Sequence, residues 1–358
     1  MAMLLACNAA LLARTWACCT ETGNFTQGLQ SYRLRHILNE LCIHKGTFVE
    51  FGFPHIEGSN TEALKRSGWS GVRMDGKCAG LPEDANCHIE WITSKNIVRL
   101  FRKYAVAPLV DFVSIDIDSA DIWILGALLE SEYKPKVLTV EFNSNIPWGF
   151  PLAFPDPSDS DHVGNLSTSQ LNWDGGCFYA SSAMAVVLQA RKLGYVVVDL
   201  EPNLDLFLVD AQLWGRRPVP TDEMLAAVVY RPNAIQRYHR PVKDALRRVY
   251  IDYLALEQSK SVKIARQQAA VQFSKIKEQY PENACFWGLQ CPVRWRVPCP
   301  HVNSYVCSSP GQHGRACDTS PPSRNLPVMW RRSQDAGPHV AAPTSDLCEV
   351  SSAGPKPD

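Results

Sequence analysis

The sequence predicts an α/β fold built on a doubly wound, mostly parallel sheet, and three observations carry that prediction. Strand-like and helix-like runs alternate between residues 47 and 209, the pattern of βαβ units. The runs VLTVEF and YVVVDL are short and rich in Val, as strands buried on both faces must be. Acids and a glycine fall at the carboxyl ends of strands, where such a sheet opens its ligand crevice.

Each element follows from its local pattern. Over 27–43, Leu29, Leu34, Ile37, Leu38 and Leu41 recur at helical spacing. Thr47–Phe53 reads as the first strand and Asn60–Ser67 as a helix, opened by the capping-box sequence Ser59-Asn60-Thr61-Glu62. Gly71–Met74 and Cys87–Trp91 are the next strands, and Lys95–Tyr104 is helical. Phe112–Ile117, the helix Ile122–Leu129 and the strand Val137–Phe142 continue the alternation. A segment rich in Pro, Asp and Ser (143–175) interrupts it, before the helix Ser181–Leu193 and the strands Tyr195–Leu200 and Leu206–Val209. The predicted organisation is an N-terminal segment 1–26, a ligand-binding domain 27–215, a helical extension 216–284, and a disordered tail 285–358 rich in Cys, Pro and Ser.

Bulk properties narrow the function. The 358 residues are 46% hydrophobic and 20% charged, and 36 basic residues balance 36 acidic ones. A balanced charge argues against a nucleic-acid partner. The apolar N-terminus MAMLLACNAALLARTWACC is short, interrupted by Asn8 and Arg14, and lacks a basic n-region, so no transmembrane span is expected. Thirteen cysteines never form C-x-x-C after residue 280, which argues against a zinc finger. The sequons at Asn24 and Asn165 keep a secretory route open, with the cytoplasm as the leading expectation. Nothing in the sequence sets an oligomeric state.

The strand ends hold the candidate chemistry. Gly52 closes the first strand, where the lack of Cβ admits a ligand to the backbone. Asp75 ends the second and can take both hydroxyls of a ribose. In DFVSIDIDSAD, Ser114, Asp116 and Asp118 share one side of a strand, and two carboxylates there belong at its carboxyl end. They could hold an ammonium, a sulfonium or a metal ion; Asp118 could equally cap the next helix. Glu141 and Asn143 close the fifth strand on the same rim, with His55 and His162 in nearby loops. Trp148 and Trp173 suit an acceptor wall or ordinary packing. No G-x-G-x-x-G and no P-loop is present. A ligand with a ribose but no pyrophosphate needs fewer glycines, and S-adenosylmethionine (SAM) is one.

The runs FVEFG, GSNT and GWSGVRMDG, then DFVSIDID and KVLTVEFN, resemble the FkbM-type SAM-dependent methyltransferases over roughly residues 47–209. The resemblance implies a Rossmann-like fold and SAM as cofactor. It implies Glu50 and Gly52 beside the methionine part of SAM, Asp75 on the ribose and Asp116 near the amine. Asn60, in the loop after the first strand, and Glu141, at the end of the fifth, are further cofactor-binding candidates. Phe53-Pro54-His55-Ile56-Glu57-Gly58 departs from the family's loop, Ser119 from its glycine, and Asp75 from its more usual Glu.

The expected function is O-methylation of a small-molecule or sugar hydroxyl, with Asp116, Asp118 and His55 as catalytic candidates and no metal assigned. One rival is an inactive methyltransferase-like binding protein, motivated by the altered 53–58 loop. The other is a metal-dependent glycosyltransferase, reading Asp116-Ile117-Asp118 as a D-x-D site.

Overall fold

A computed structural model describes residues 26–52, 58–78, 85–164, 171, 178–230 and 248–280. Helix α1 (Gln30–Glu40) buries Leu34, Ile37 and Leu38, as their spacing dictates. Strands β1 (Thr47–Phe51), β2 (Ser70–Asp75), β3 (Cys87–Ile89), β4 (Phe112–Ile115) and β5 (Val137–Glu141) follow. Between them lie helices α2 (Glu62–Arg66), α3 (Ile97–Lys103) and α4 (Asp121–Glu130). After β5 come β6 (Leu152–Ala153), α5 (Ser160–Val163), α6 (Ala183–Lys192), β7 (Tyr195–Leu200) and β8 (Asp205–Asp210). The last elements are α7 (Ala211–Trp214), α8 (Asp222–Val229), β9 (Ile251–Asp252), α9 (Tyr253–Ser259) and α10 (Val262–Gln279).

Seven strands form one sheet in the order β3-β2-β1-β4-β5-β8-β7. Strands β1 to β5 pair in parallel, and β8 runs antiparallel to both β5 and β7. The direction of β8 is forced: the 201–204 link from β7 is too short for a crossover. The result is the Rossmann-like, mostly parallel sheet expected from the sequence.

Register explains why both faces are buried. Phe48, Phe112, Val137 and Val209 line up across four strands and pack on one face with α1 and Trp214. Their neighbours Val49, Val113, Leu138 and Leu208 line up on the other face, beneath α3, α4 and α6. The connection order reverses between β1 and β4, so the crevice opens beyond Phe51 and Ile115.

A second core lies beyond the sheet. Strand β6 pairs with β9, and Leu152, Phe154, Tyr250, Phe273 and Ile276 pack together. The extension expected to be helical therefore includes a strand that returns to the irregular 143–175 segment, setting Ile251 opposite Ala153 and Asp252 opposite Leu152. Residues 1–25 and 281–358, which include the predicted tail, lie outside the described residues. Among the described residues, no helix is long and apolar enough to cross a membrane.

Candidate functional site

Beneath the rim sits a buried polar layer. Glu50 faces Arg73 across the β1–β2 register, and both are almost wholly buried. Glu50 accepts hydrogen bonds from Ser59 Oγ (2.8 Å), the Asn60 amide (2.6 Å) and Thr61 Oγ1, and lies 3.3 Å from Arg73. Burial pushes its carboxyl up, and the Arg73 charge opposes that push. Arg73 also donates to Glu62 (3.0 Å), Thr61 Oγ1 (3.0 Å) and the Ala85 carbonyl (3.2 Å). Glu50 therefore shapes the 59–62 turn. The capping box is half made: Ser59 Oγ accepts from the Glu62 amide (3.0 Å), while Glu62 turns away to Arg73 and Arg66. Asn60 points into the same layer, donating to Ser114 Oγ (3.0 Å) and Asp205 (3.4 Å).

Gly52 is the tightest point of the crevice. Its φ is +69°, and an added Cβ would lie 1.5 Å from the carbonyl oxygen of Asp116. Only glycine allows β1 and β4 to end this close together. The neighbouring 53–57 stretch, with His55 and the departing Phe53-Pro54 pair, lies outside the described residues. At the end of β2, Asp75 accepts from the Lys77 amide (2.6 Å), and the exposed Trp91 ring lies over Gly76. A disulfide joins Cys78 to Cys87, tying the chain after Asp75 to the start of β3.

The rim itself is acidic. Carboxylate oxygens of Asp116, Asp118 and Glu141 all lie within 4.8 Å of one another. Asp121 and Asp205 add to the field acting on them, and Asp205 stands opposite Glu141 in the β5–β8 register. Burial, then mutual repulsion, drives the carboxyls of Asp116 and Glu141 well up. Burial and the nearby Asp75 raise Asp118 to about 6. Burial raises Asp121 and Asp205 to about 7 each, against the hydrogen bonds they accept. Glu141 Oε2 and Asp121 Oδ2 are shielded from water and have no hydrogen-bond partner among the described residues. Asp118 holds a φ of +63° and Ala180 one of +38°, and the Ala180 amide donates to the Asp118 carbonyl (3.2 Å). Left-handed backbone at non-glycine positions is strain of a kind concentrated at functional sites.

The structure thus brings Gly52, Asp75, Asp116, Asp118 and Glu141 to one rim and sets Glu50 and Asn60 just below it. Asn143 is wholly buried, donating to the Tyr179 carbonyl (3.0 Å). His162 packs on Trp123 with ring centroids 4.6 Å apart, and its Nδ1 accepts from the Asp156 amide (3.4 Å). Burial lowers its pKa, and the charges acting on it come from Asp159, Asp156, Arg266 and Asp161 rather than the rim. Trp148 packs against the main core, and Trp173 lies outside the described residues. Sequence reasoning did not single out Arg73, Asp121 or Asp205. A lone arginine in the apolar strand SGVRMD was the available signal for the first, whereas Asp205 reaches the rim only because β8 runs antiparallel.

No family model and no curated protein matches this chain. Among solved structures, it is similar to an O-methyltransferase family protein from Burkholderia thailandensis at 13% identity. That match covers 50% of this chain and 55% of the other, about half the length of each, with a TM-score of 0.28. The fold class rests on the strand order and register described above.

Proposed function

We propose that the chain transfers a methyl group from SAM to a hydroxyl of a small-molecule or sugar acceptor. The observation that carries this reading is the rim of carboxylates at the switch point, where Gly52 lets β1 and β4 end side by side. SAM fits that donor set: its ammonium and sulfonium are cationic, and it brings adenosine hydroxyls that a strand-end acid can hold. When bound, it supplies an electrophilic methyl group. Asp75 accepts the ribose hydroxyls, and the Gly52 backbone lets the methionine part lie close to the sheet. Asp116 holds the ammonium. Glu50, Arg73 and Asn60 fix the turn that frames the crevice. The acidic rim favours positive charge at the sulfur and provides the acceptor for the hydroxyl proton. Alignment in a water-poor crevice then accounts for most of the rate gain.

The Cys78–Cys87 link supports a secretory route over the cytoplasm, because such links persist in oxidising compartments.

Calorimetric titration of the full chain with SAM and with its demethylated product tests the reading. Micromolar binding, weakened at least tenfold by Asp75→Ala, is the expected result. Absence of binding in a chain that melts cooperatively would leave the inactive, methyltransferase-like binding protein as the better description.

A further inference from the structure

We propose that Asp116, Asp118 and Glu141 form a binding site for one hard divalent cation, Mg²⁺ or Mn²⁺ in type. The inference deepens the proposed function and rests on its placing the ligand crevice at this rim. It does not depend on the identity of the methyl donor.

Three carboxylates from the ends of two adjacent strands place oxygens within 4.8 Å of one another. Two oxygens 4.8 Å apart can share one ion at about 2.4 Å from each, and a closing of the carboxylates by about half an ångström suits the about 2.1 Å bonds of Mg²⁺. An all-oxygen, all-anionic donor set selects Mg²⁺, Mn²⁺ or Ca²⁺ over zinc or copper. Proximity of acids alone would be weak ground. The independent observation is the Glu141 carboxylate, buried in this cluster, with an Oε2 that has no hydrogen-bond partner among the described residues. Behind the trio, Asp121 is wholly buried and its Oδ2 is equally unpartnered. Buried carboxylate oxygens are ordinarily hydrogen-bonded or bound to a metal, because an unmet acceptor costs the full desolvation of the group. Arg73, the buried cation of this region, is already committed to Glu50 and Glu62.

The arrangement also admits an ion. Asp116 and Asp118 stay half-buried, so the site is reachable and further oxygen ligands from water or an acceptor can join. Ligation uses one oxygen of each carboxylate, so Asp116 can give one oxygen to the ion and the other to the ammonium of the methyl donor. Three carboxylates with one divalent ion keep a net charge of −1, which still suits that cationic donor.

The test uses the full chain freed of metal with EDTA and titrated with Mn²⁺, bound ion being read by water-proton relaxation. One site per chain is expected. Asp118→Asn and Glu141→Gln should each weaken Mn²⁺ at least tenfold, while Asp222→Asn, an exposed acid paired with Arg191, leaves it within twofold. Thermal melts establish that each variant folds. No saturable Mn²⁺ binding by the folded chain overturns the proposal, as does binding that both rim substitutions leave intact. SAM titrated in EDTA separates the two readings. SAM binding without Mn²⁺ binding removes the cation site alone, and Mn²⁺ binding without SAM binding removes the donor assignment alone.

Discussion

Arg73 has no solvent exposure, and its guanidinium is shared among Glu50, Glu62, Thr61 and the Ala85 carbonyl. A buried pair of this kind adds little net stability over an apolar replacement of the whole set, but losing one partner leaves charge stranded. Arg73→Met is expected to cost ~3–5 kcal/mol, read as a lower urea midpoint at an unchanged slope. Adding Glu50→Gln to the same chain should recover part of that loss. A cost below ~1 kcal/mol for the single change would mean the network does not hold the 59–62 turn. Asp116 and Glu141 were legible in the sequence because a buried strand tolerates an acid only at its end. Arg73 was harder to read, since its partner Glu50 is 23 positions away and becomes its neighbour only through the Thr47↔Ser70 register.

Elements were legible where one period dominates. Short apolar runs buried on both faces of the sheet and helical spacing in α1 set their positions, while ends moved inward: the helix expected over 27–43 spans Gln30–Glu40. What local pattern cannot carry is direction and partnership. Nothing in DLFLVD says that it inserts between β5 and β7, and two-residue β9 is too short to leave a period. The β2–β3 connection was likewise unread, because a disulfide pairing cannot be deduced from spacing among thirteen cysteines. Cys78 and Cys87 close a loop with a sequence separation of 9, worth ~2–3 kcal/mol in a chain-entropy account. Cys78→Ser should lower the thermal midpoint accordingly and weaken SAM, because Asp75 precedes the tethered loop. Peptide mapping without reductant checks the link first; finding both thiols free would remove this prediction's basis.

At the scale of the whole molecule, the acidic rim sets how stability responds to pH. Asp118 at about 6, and Asp121 and Asp205 at about 7, all lie above the ordinary value of 3.8. A carboxyl raised in the folded state binds its proton more tightly there than in the unfolded chain. Stability from these groups is therefore complete below pH ~4 and declines as pH rises through their folded values. Between pH 7.5 and 5 the ligand-free chain should gain thermal stability on acidification, by ~2–4 °C for each kcal/mol relieved. Melts in EDTA across that window check it, and a midpoint that falls steadily toward pH 5 would contradict it.

The insertion of β8 has a further meaning for a chain made from its N-terminus onward. Each strand from β2 to β5 meets an earlier neighbour as it emerges, but β5 keeps an open edge, VLTVE, until residues 205–210 have been synthesised. An apolar unpaired edge is a template for a second nascent chain. During that interval Glu141 ends the exposed strand without Asp205 opposite it, and a charged end is one of the features that discourage edge-to-edge joining. The acid that crowds the finished rim thus has an earlier use, as a guard on the unfinished sheet.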